Sequence, residues 1–350
     1  MADKKTVAVV GGGPAGLMAA EVVARAGVGV TVYDRMPSLA RKFLMAGRGG
    51  LNLTHSEPLE AFLGRYTPAE GPIVEAVRAY PPEAVRAWCE ALGQPTFVGS
   101  SGRIFPKAMK ASPLLRAWLQ RLSSAGVEVR TRHRWTDFGP EGKLYFDTPQ
   151  ESVEVRSDAV ILALGGASWP RLGSDGGWQS TLAGLGVTLA PLQASNVGVL
   201  VRWSDHFATR HGGKPLKRIA VRLEHGGWQR GELVVTRSGL EGGAVYALGP
   251  ALRRALAADG RARLTIDLKP DMTDADVAAR LARPRGKRSL ANHLRKSLGL
   301  EPQAIALMTE ARLRSGPGEA GAAHVATGAV KSVAVEVHGL AGLERSISTA

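Results

Sequence analysis

The chain has one cysteine, Cys89, which excludes a disulfide framework and any thiolate metal cluster. It is short of acid: 31 Asp and Glu stand against 45 Lys and Arg, a formal charge of +14. That balance favours anionic partners such as nucleotides, nucleic acid or acidic lipid, and says nothing about fold. No stretch approaches the ~18 apolar residues that a spanning helix needs, so no membrane partner is expected. The eight histidines show no ligand spacing, and no metal is expected. A G-x-S-x-G elbow, a P-loop and a Ser/His/Asp arrangement are all missing. No internal repeat or low-complexity tract occurs, and the 43 glycines follow no G-X-Y period. Met1-Ala-Asp-Lys-Lys5 runs straight into a strand without a signal peptide, so a soluble, cytoplasmic protein is expected.

What is present is globular. Hydrophobic residues make up 44% and charged residues 22%, and a length of 350 favours two domains. The first signal lies at the N-terminus. Thr6-Val-Ala-Val-Val10 is a short β-branched run typical of a buried parallel strand. Gly11-Gly-Gly13-Pro14-Ala15-Gly16 follows at once, and Leu17 to Ala26 reads as a helix ended by Gly27. Val28 to Tyr33 is a second strand closing on Asp34.

Gly11, Gly13 and Gly16 thus hold the G-x-G-x-x-G positions between strand and helix. Gly11 allows the tight turn, Gly13 lets a pyrophosphate approach the backbone, and Gly16 lets the helix pack close to the sheet. The helix start supplies free N–H groups and partial positive charge. Asp34, at the second strand's end, is placed to accept from a ribose diol. The register of strand, loop, helix, strand and acid predicts dinucleotide binding. Gly12 with the Pro14-Ala15 pair points to FAD more than to a simple dehydrogenase's cofactor. Residues 41–55 read as a basic, glycine-rich loop without helical period, able to wrap an anionic cofactor. In it Lys42 or Arg48 would neutralise phosphate charge; the alternative is a plain surface connection.

Along this loop the chain resembles the BaiN/YhiN-like family of bacterial FAD-dependent oxidoreductases. Their hallmark is Lys-x-x-x-Ser-Gly-Asn-Gly-Arg-Cys-Asn-Leu-Thr-Asn. Lys42, Gly47, Gly49, Asn52, Leu53 and Thr54 match it. Gly50 and Leu51 replace the Arg–Cys pair, and Arg48 is new, so the chain resembles a divergent subgroup. Gly102-Arg103-Ile-Phe-Pro106 resembles a Gly-Arg-x-Phe-Pro segment, and Ala163-Leu-Gly165-Gly166 an Ala-Thr-Gly-Gly strand end. Gly173-Ser-Asp175-Gly176 matches Gly-Ser-Asp-Gly. Gly231-Glu232 to Thr236, with Gly239-Leu, continues the order, with Arg237 where the family has His.

The resemblance implies an α/β fold: an FAD/NAD(P)-binding Rossmann-type domain with a β-rich inserted domain carrying a small helical inset. The domains are expected at 1–190 for FAD, 191–269 and 323–343 for the β-rich insert, and 270–322 for the inset. Residues 344–350 would begin the return to the FAD domain. The expected cofactor site is Gly11, Gly13, Pro14, Ala15, Gly16, Asp34, Arg35, Lys42, Arg48, Gly49, Asn52, Val129, Ala163, Gly165, Gly166 and Asp175. Val129 ends a short strand that would meet adenine, and Trp169 and Trp178 either line a flavin pocket or pack. Catalytic residues are not assigned.

The expected activity is oxidoreduction of a small organic molecule through flavin N5, with NAD(P)H as a transient donor or O2 as acceptor. The alternative is an FAD protein acting on RNA through the basic inset: Arg280, Arg283, Arg285, Lys287, Arg288, Arg295 and Lys296. That run lacks interleaved aromatics and reads first as a solvated helix face, so a nucleic-acid partner is not the leading expectation. The family's Gly-Glu-x-x-Asp and Gly-Gly-Tyr-Asn motifs do not occur, and the resemblance implies that they would follow Ser348-Thr349-Ala350. On that basis the 350-residue chain is expected to bind FAD weakly, through the ADP half.

Overall fold

The computed structural model describes residues 5–46, 50–66, 70–224, 226–314 and 327–349. They form two compact units: residues 1–165 with 169–190, and residues 166–168 with 191–350. Arg48, Gly49 and the 322/323 boundary lie outside the described residues.

The first unit is built on a parallel sheet in the order Ala159–Leu162, Thr6–Val10, Gly29–Asp34, Glu128–Thr131. In register, Val10 lies between Leu162 and Tyr33, and Tyr33 pairs with Arg130. The first strand shows the two-residue alternation of a sheet covered on both faces. Val9 packs with Leu17, Ala20, Leu114, Trp118 and Leu122 of the helices Pro14–Arg25 and Ala111–Ser124. Ala8 and Val10 pack on the other face with Tyr33, Leu144 and Phe146. That second layer is an antiparallel meander of Arg134–Phe138, Leu144–Asp147 and Ser152–Val155. Tyr33 and Phe146 stack at 4.5 Å. A small sheet of Thr54–His55, Arg103–Pro106 and Thr96–Val98 completes the unit.

Residues 41–46 are not the loop expected from their composition. Arg41–Ala46 is a helix, started where Leu44 N–H donates to Ala40 C=O at 3.1 Å. Six residues make fewer than two turns, too few to show a readable period. Cys89 is fully buried on Pro82–Ala91, and its thiol donates to Gln94 C=O at 3.3 Å. Burial pushes its pKa up to about 11, the condition of an inert core thiol.

The second unit is a seven-stranded antiparallel sheet. Its order is Val333–Val337, Ala262–Asp267, Pro215–Leu223, Gln229–Thr236, Gly239–Glu241, Val199–Leu200, Gly339–Leu340. Val221, Leu233, Val235, Leu264 and Ile266 are buried with Leu294, Leu298 and Leu307 of the helices Leu290–Leu298 and Pro302–Arg314. A capping box closes the start of Asp274–Leu281, with Thr273 and Asp276 satisfying each other's backbone N–H.

Candidate functional site

The glycine loop sits at the carboxyl end of the first strand, and each glycine answers a different constraint. Gly11 has φ +111, and a side chain there would strike the Ala163 carbonyl. A side chain on Gly16 would strike the Gly11 carbonyl and crowd Val9 at 3.2 Å. Gly13 differs: a Cβ there meets nothing within 4 Å. The protein does not fill the space above Gly13, which is what a phosphate approaching the backbone requires. The helix begins with Pro14 in its first turn and has no side-chain cap on its N-terminus. Its leading N–H groups therefore remain aimed at an anion.

Asp34 sits directly beside this loop. Its Oδ2 accepts from Gly12 N–H and its Oδ1 from Met36 N–H, each at 2.7 Å. Burial pushes its pKa up, and the two amides, with Arg35 and Arg41, pull against that. The carboxylate is thus held in place by the loop, with lone pairs left for a ribose. Asp34→Ala is expected to weaken FAD binding by about 1–3 kcal/mol, through the lost hydrogen bonds and a freed Gly12 amide. Titration of the folded variant with FAD, followed by flavin fluorescence, checks this; unchanged affinity would leave Asp34 a loop brace only.

A short strap crosses the ends of the second and fourth strands and explains Gly173-Ser-Asp175-Gly176. Arg35 Nη1 donates to Asp175 Oδ2 at 2.6 Å, and Gly177 N–H donates to Asp175 Oδ1 at 3.0 Å. Burial raises the Asp175 pKa, but these two partners outweigh it and leave the carboxyl below its usual range. Lys42 Nζ donates to Ser174 Oγ at 3.4 Å, and burial pushes its pKa down. Gly173 has φ +99 and lies against Met36. Trp178 Nε1 donates to the Gly165 carbonyl at 3.1 Å. Arg35, Lys42, Gly165 and Asp175 are thereby gathered around the strand ends, with Asp175 and Arg35 engaged with each other.

The remaining expected residues fall differently. Ala163 N–H donates to Val10 C=O at 2.8 Å, beside Gly11. Val129 pairs with Val32 on the edge strand and is exposed. Asn52 is exposed, beside the small antiparallel sheet. Gly166 groups with the second unit, where the Thr349 side chain lies against it. Trp169 has φ +60 and is exposed. Among the described residues there is no group of three or more His, Cys, Asp or Glu able to hold a metal. No described helix is long and apolar enough to cross a membrane.

One residue of this region was not expected. Arg41 lies next to the loop, close enough to lower the Asp34 pKa, and its Nη1 reaches Ser38 Oγ at 3.3 Å. Its buried Nε has no hydrogen-bond partner among the described residues. A buried guanidinium N–H without an acceptor is costly, and a phosphate oxygen would satisfy it. The sequence offered two adjacent cations here and no means of choosing between them.

Comparison with known proteins adds the following. The family model described as "HI0933-like protein Rossmann domain" matches residues 5–343. A 3-dehydro-bile acid delta(4,6)-reductase of Clostridium scindens is 24% identical over 277 residues, covering 77% of this chain and 66% of that protein. A ribosomal RNA dihydrouridine synthase of Haemophilus influenzae is 25% identical over 243 residues, covering 69% of this chain and 60% of that protein. The chain therefore spans about two thirds or less of the length of these relatives. Among solved structures, the 3-ketosteroid-delta4-(5alpha)-dehydrogenase of Rhodococcus jostii RHA1 gives a TM-score of 0.45 at 17% identity, covering 97% of this chain and 84% of that one.

Proposed function

Because the chain belongs to the HI0933-like family with its Rossmann domain, we propose that it is an FAD-dependent reductase of a carbon–carbon double bond conjugated to a carbonyl. The observation that carries the cofactor is the open space above Gly13 at an uncapped helix start, with Asp34 fixed beside it. These residues fit a dinucleotide. The Ala15 and Gly16 amides and Arg41 would hold the pyrophosphate, Asp34 the ribose, and the Arg35–Asp175 pair the strap. Bound FAD supplies two-electron chemistry through its N5 atom.

The bond class rests on the two relatives together. One is named for reducing a bile acid at delta(4,6), the other for making dihydrouridine, and uracil and a delta(4)-unsaturated 3-keto steroid share a double bond conjugated to a carbonyl. The net reaction for this chain would consume one NAD(P)H and one proton and saturate that bond. A small organic enone is the first substrate class. RNA uracil is the second, favoured by the residues 280–296, which carry seven basic side chains and no acid.

The test is anaerobic. The flavin-loaded protein is mixed with NADPH or NADH and its absorbance near the flavin band is followed, then a cyclic enone is added. Bleaching followed by enone-dependent recovery is expected. Recovery with O2 and never with an enone would replace the reductase by an oxidase.

A further inference from the structure

We propose that the helix–loop–helix of residues 274–298 is an RNA-docking surface that grips the phosphate backbone. The proposal deepens the RNA branch of the reading above and rests on it for the substrate class alone. The helices Asp274–Leu281 and Leu290–Leu298 point Val277, Leu294 and Leu298 into the core. His293 Nε2 meets the Leu281 carbonyl at 3.1 Å and ties the two helices across the loop between them. What they turn outward is basic: Arg280, Arg283, Arg285, Lys287, Arg288, Arg295 and Lys296 are all exposed.

Of the nearby acids only Asp274, at the start of the first helix, is exposed without an ion pair or side-chain hydrogen bond among the described residues; the others are occupied. Asp276 is closed in the capping box with Thr273, Asp271 pairs with Arg230, and Glu301 accepts from Gln303. Arg283, Arg285, Lys287 and Arg288 make no ion pair with any described residue. The patch continues onto the sheet. Burial lowers the Lys269 pKa and Arg218 and Arg280 push it the same way, against Glu301 and Asp271, which places three cations and two carboxylates together.

Like charges so arranged repel one another at some cost to the fold, and a bound polyanion would relieve that repulsion. A single phosphate would engage two or three of these side chains. Seven of them spread over two helix ends and a loop fit an extended phosphate backbone. An acidic membrane fits less well, because the loop offers no aromatic side chain to insert and, apart from the exposed Leu290, both helices turn their large apolar side chains to the core.

The experiment uses the full chain and the variant Arg283→Glu, Arg285→Glu, Lys287→Glu, Arg288→Glu. Binding of a fluorescein-labelled 20-nucleotide uridine-rich RNA is followed by anisotropy at 50 and 200 mM salt. As phosphate contacts at ~0.7 counterions each, the four side chains replaced in the variant account for about 50-fold of the parent's loss across that salt range. The variant should bind at least roughly 50-fold more weakly at low salt, with a flattened salt slope. Its flavin content and melting temperature should match the parent, which excludes misfolding as the cause. Equal RNA binding by parent and variant would overturn the proposal. So would absent RNA binding together with variant-sensitive binding to vesicles containing 30% phosphatidylserine. Bleaching by NADPH is read in parallel: if it fails while charge-dependent RNA binding holds, the reductase reading falls and the docking surface stands.

Discussion

Gly13→Val is expected to strip the protein of flavin while leaving it folded. The new Cβ meets no atom within 4 Å beyond its own chain neighbours, and the backbone at Gly13, φ −81 and ψ −179, is extended and open to any residue. The cost to the fold is that of a poor helix cap, about 1 kcal/mol. The cost to the cofactor is loss of the pyrophosphate's closest approach, roughly 100-fold or more in Kd, near 3 kcal/mol. Gly16→Val is the control with the opposite signature. Its side chain would run into the Gly11 carbonyl, so roughly 3 kcal/mol of stability should go and flavin with it. Thermal melts and flavin-to-protein absorbance ratios separate the two. A Gly13→Val protein with full flavin occupancy would show that the cofactor lies elsewhere.

The second large effect is expected at Glu21, on the same helix. Its carboxylate is 3% exposed. It accepts from Trp118 Nε1 at 2.6 Å and Trp88 Nε1 at 3.2 Å, and it faces Arg121 at 3.1 Å and Arg25. One side chain thereby ties the glycine-loop helix to Ala111–Ser124 and Pro82–Ala91. Glu21→Ala leaves two indole N–H groups without their acceptor and Arg121 without its counter-ion, a loss of about 3–5 kcal/mol. Arg25 is 61% exposed, so Arg25→Ala should cost only about 0–1 kcal/mol. Denaturant melts of the two variants test the contrast. Equal, small losses would mean the buried carboxylate is replaceable by water.

Much of this was legible because it is local. Spacing and residue type disclosed the glycine loop, Asp34 and the parallel strands, since a βαβ unit encodes its own geometry within 30 residues or so. What the sequence concealed depends on distant partners. The strap shows only when Arg35 meets Asp175 and Met36 meets Gly173 across the sheet end. Glu21 reads as one more charge on a helix until Trp88 and Trp118 close on it. Arg41 and Lys42 are neighbours in the chain, and only burial distinguishes the one whose Nε lacks an acceptor.

The most direct test of the dinucleotide site is a three-way titration of the flavin-free protein with FAD, FMN and ADP. In the proposed site the glycine loop, Asp34 and Arg41 would all address the ADP half of the cofactor. FAD should therefore bind and ADP should compete with it, while FMN, which lacks the adenosine and the second phosphate, should bind at least about 100-fold more weakly. FMN binding as tightly as FAD, with no competition from ADP, would contradict the account.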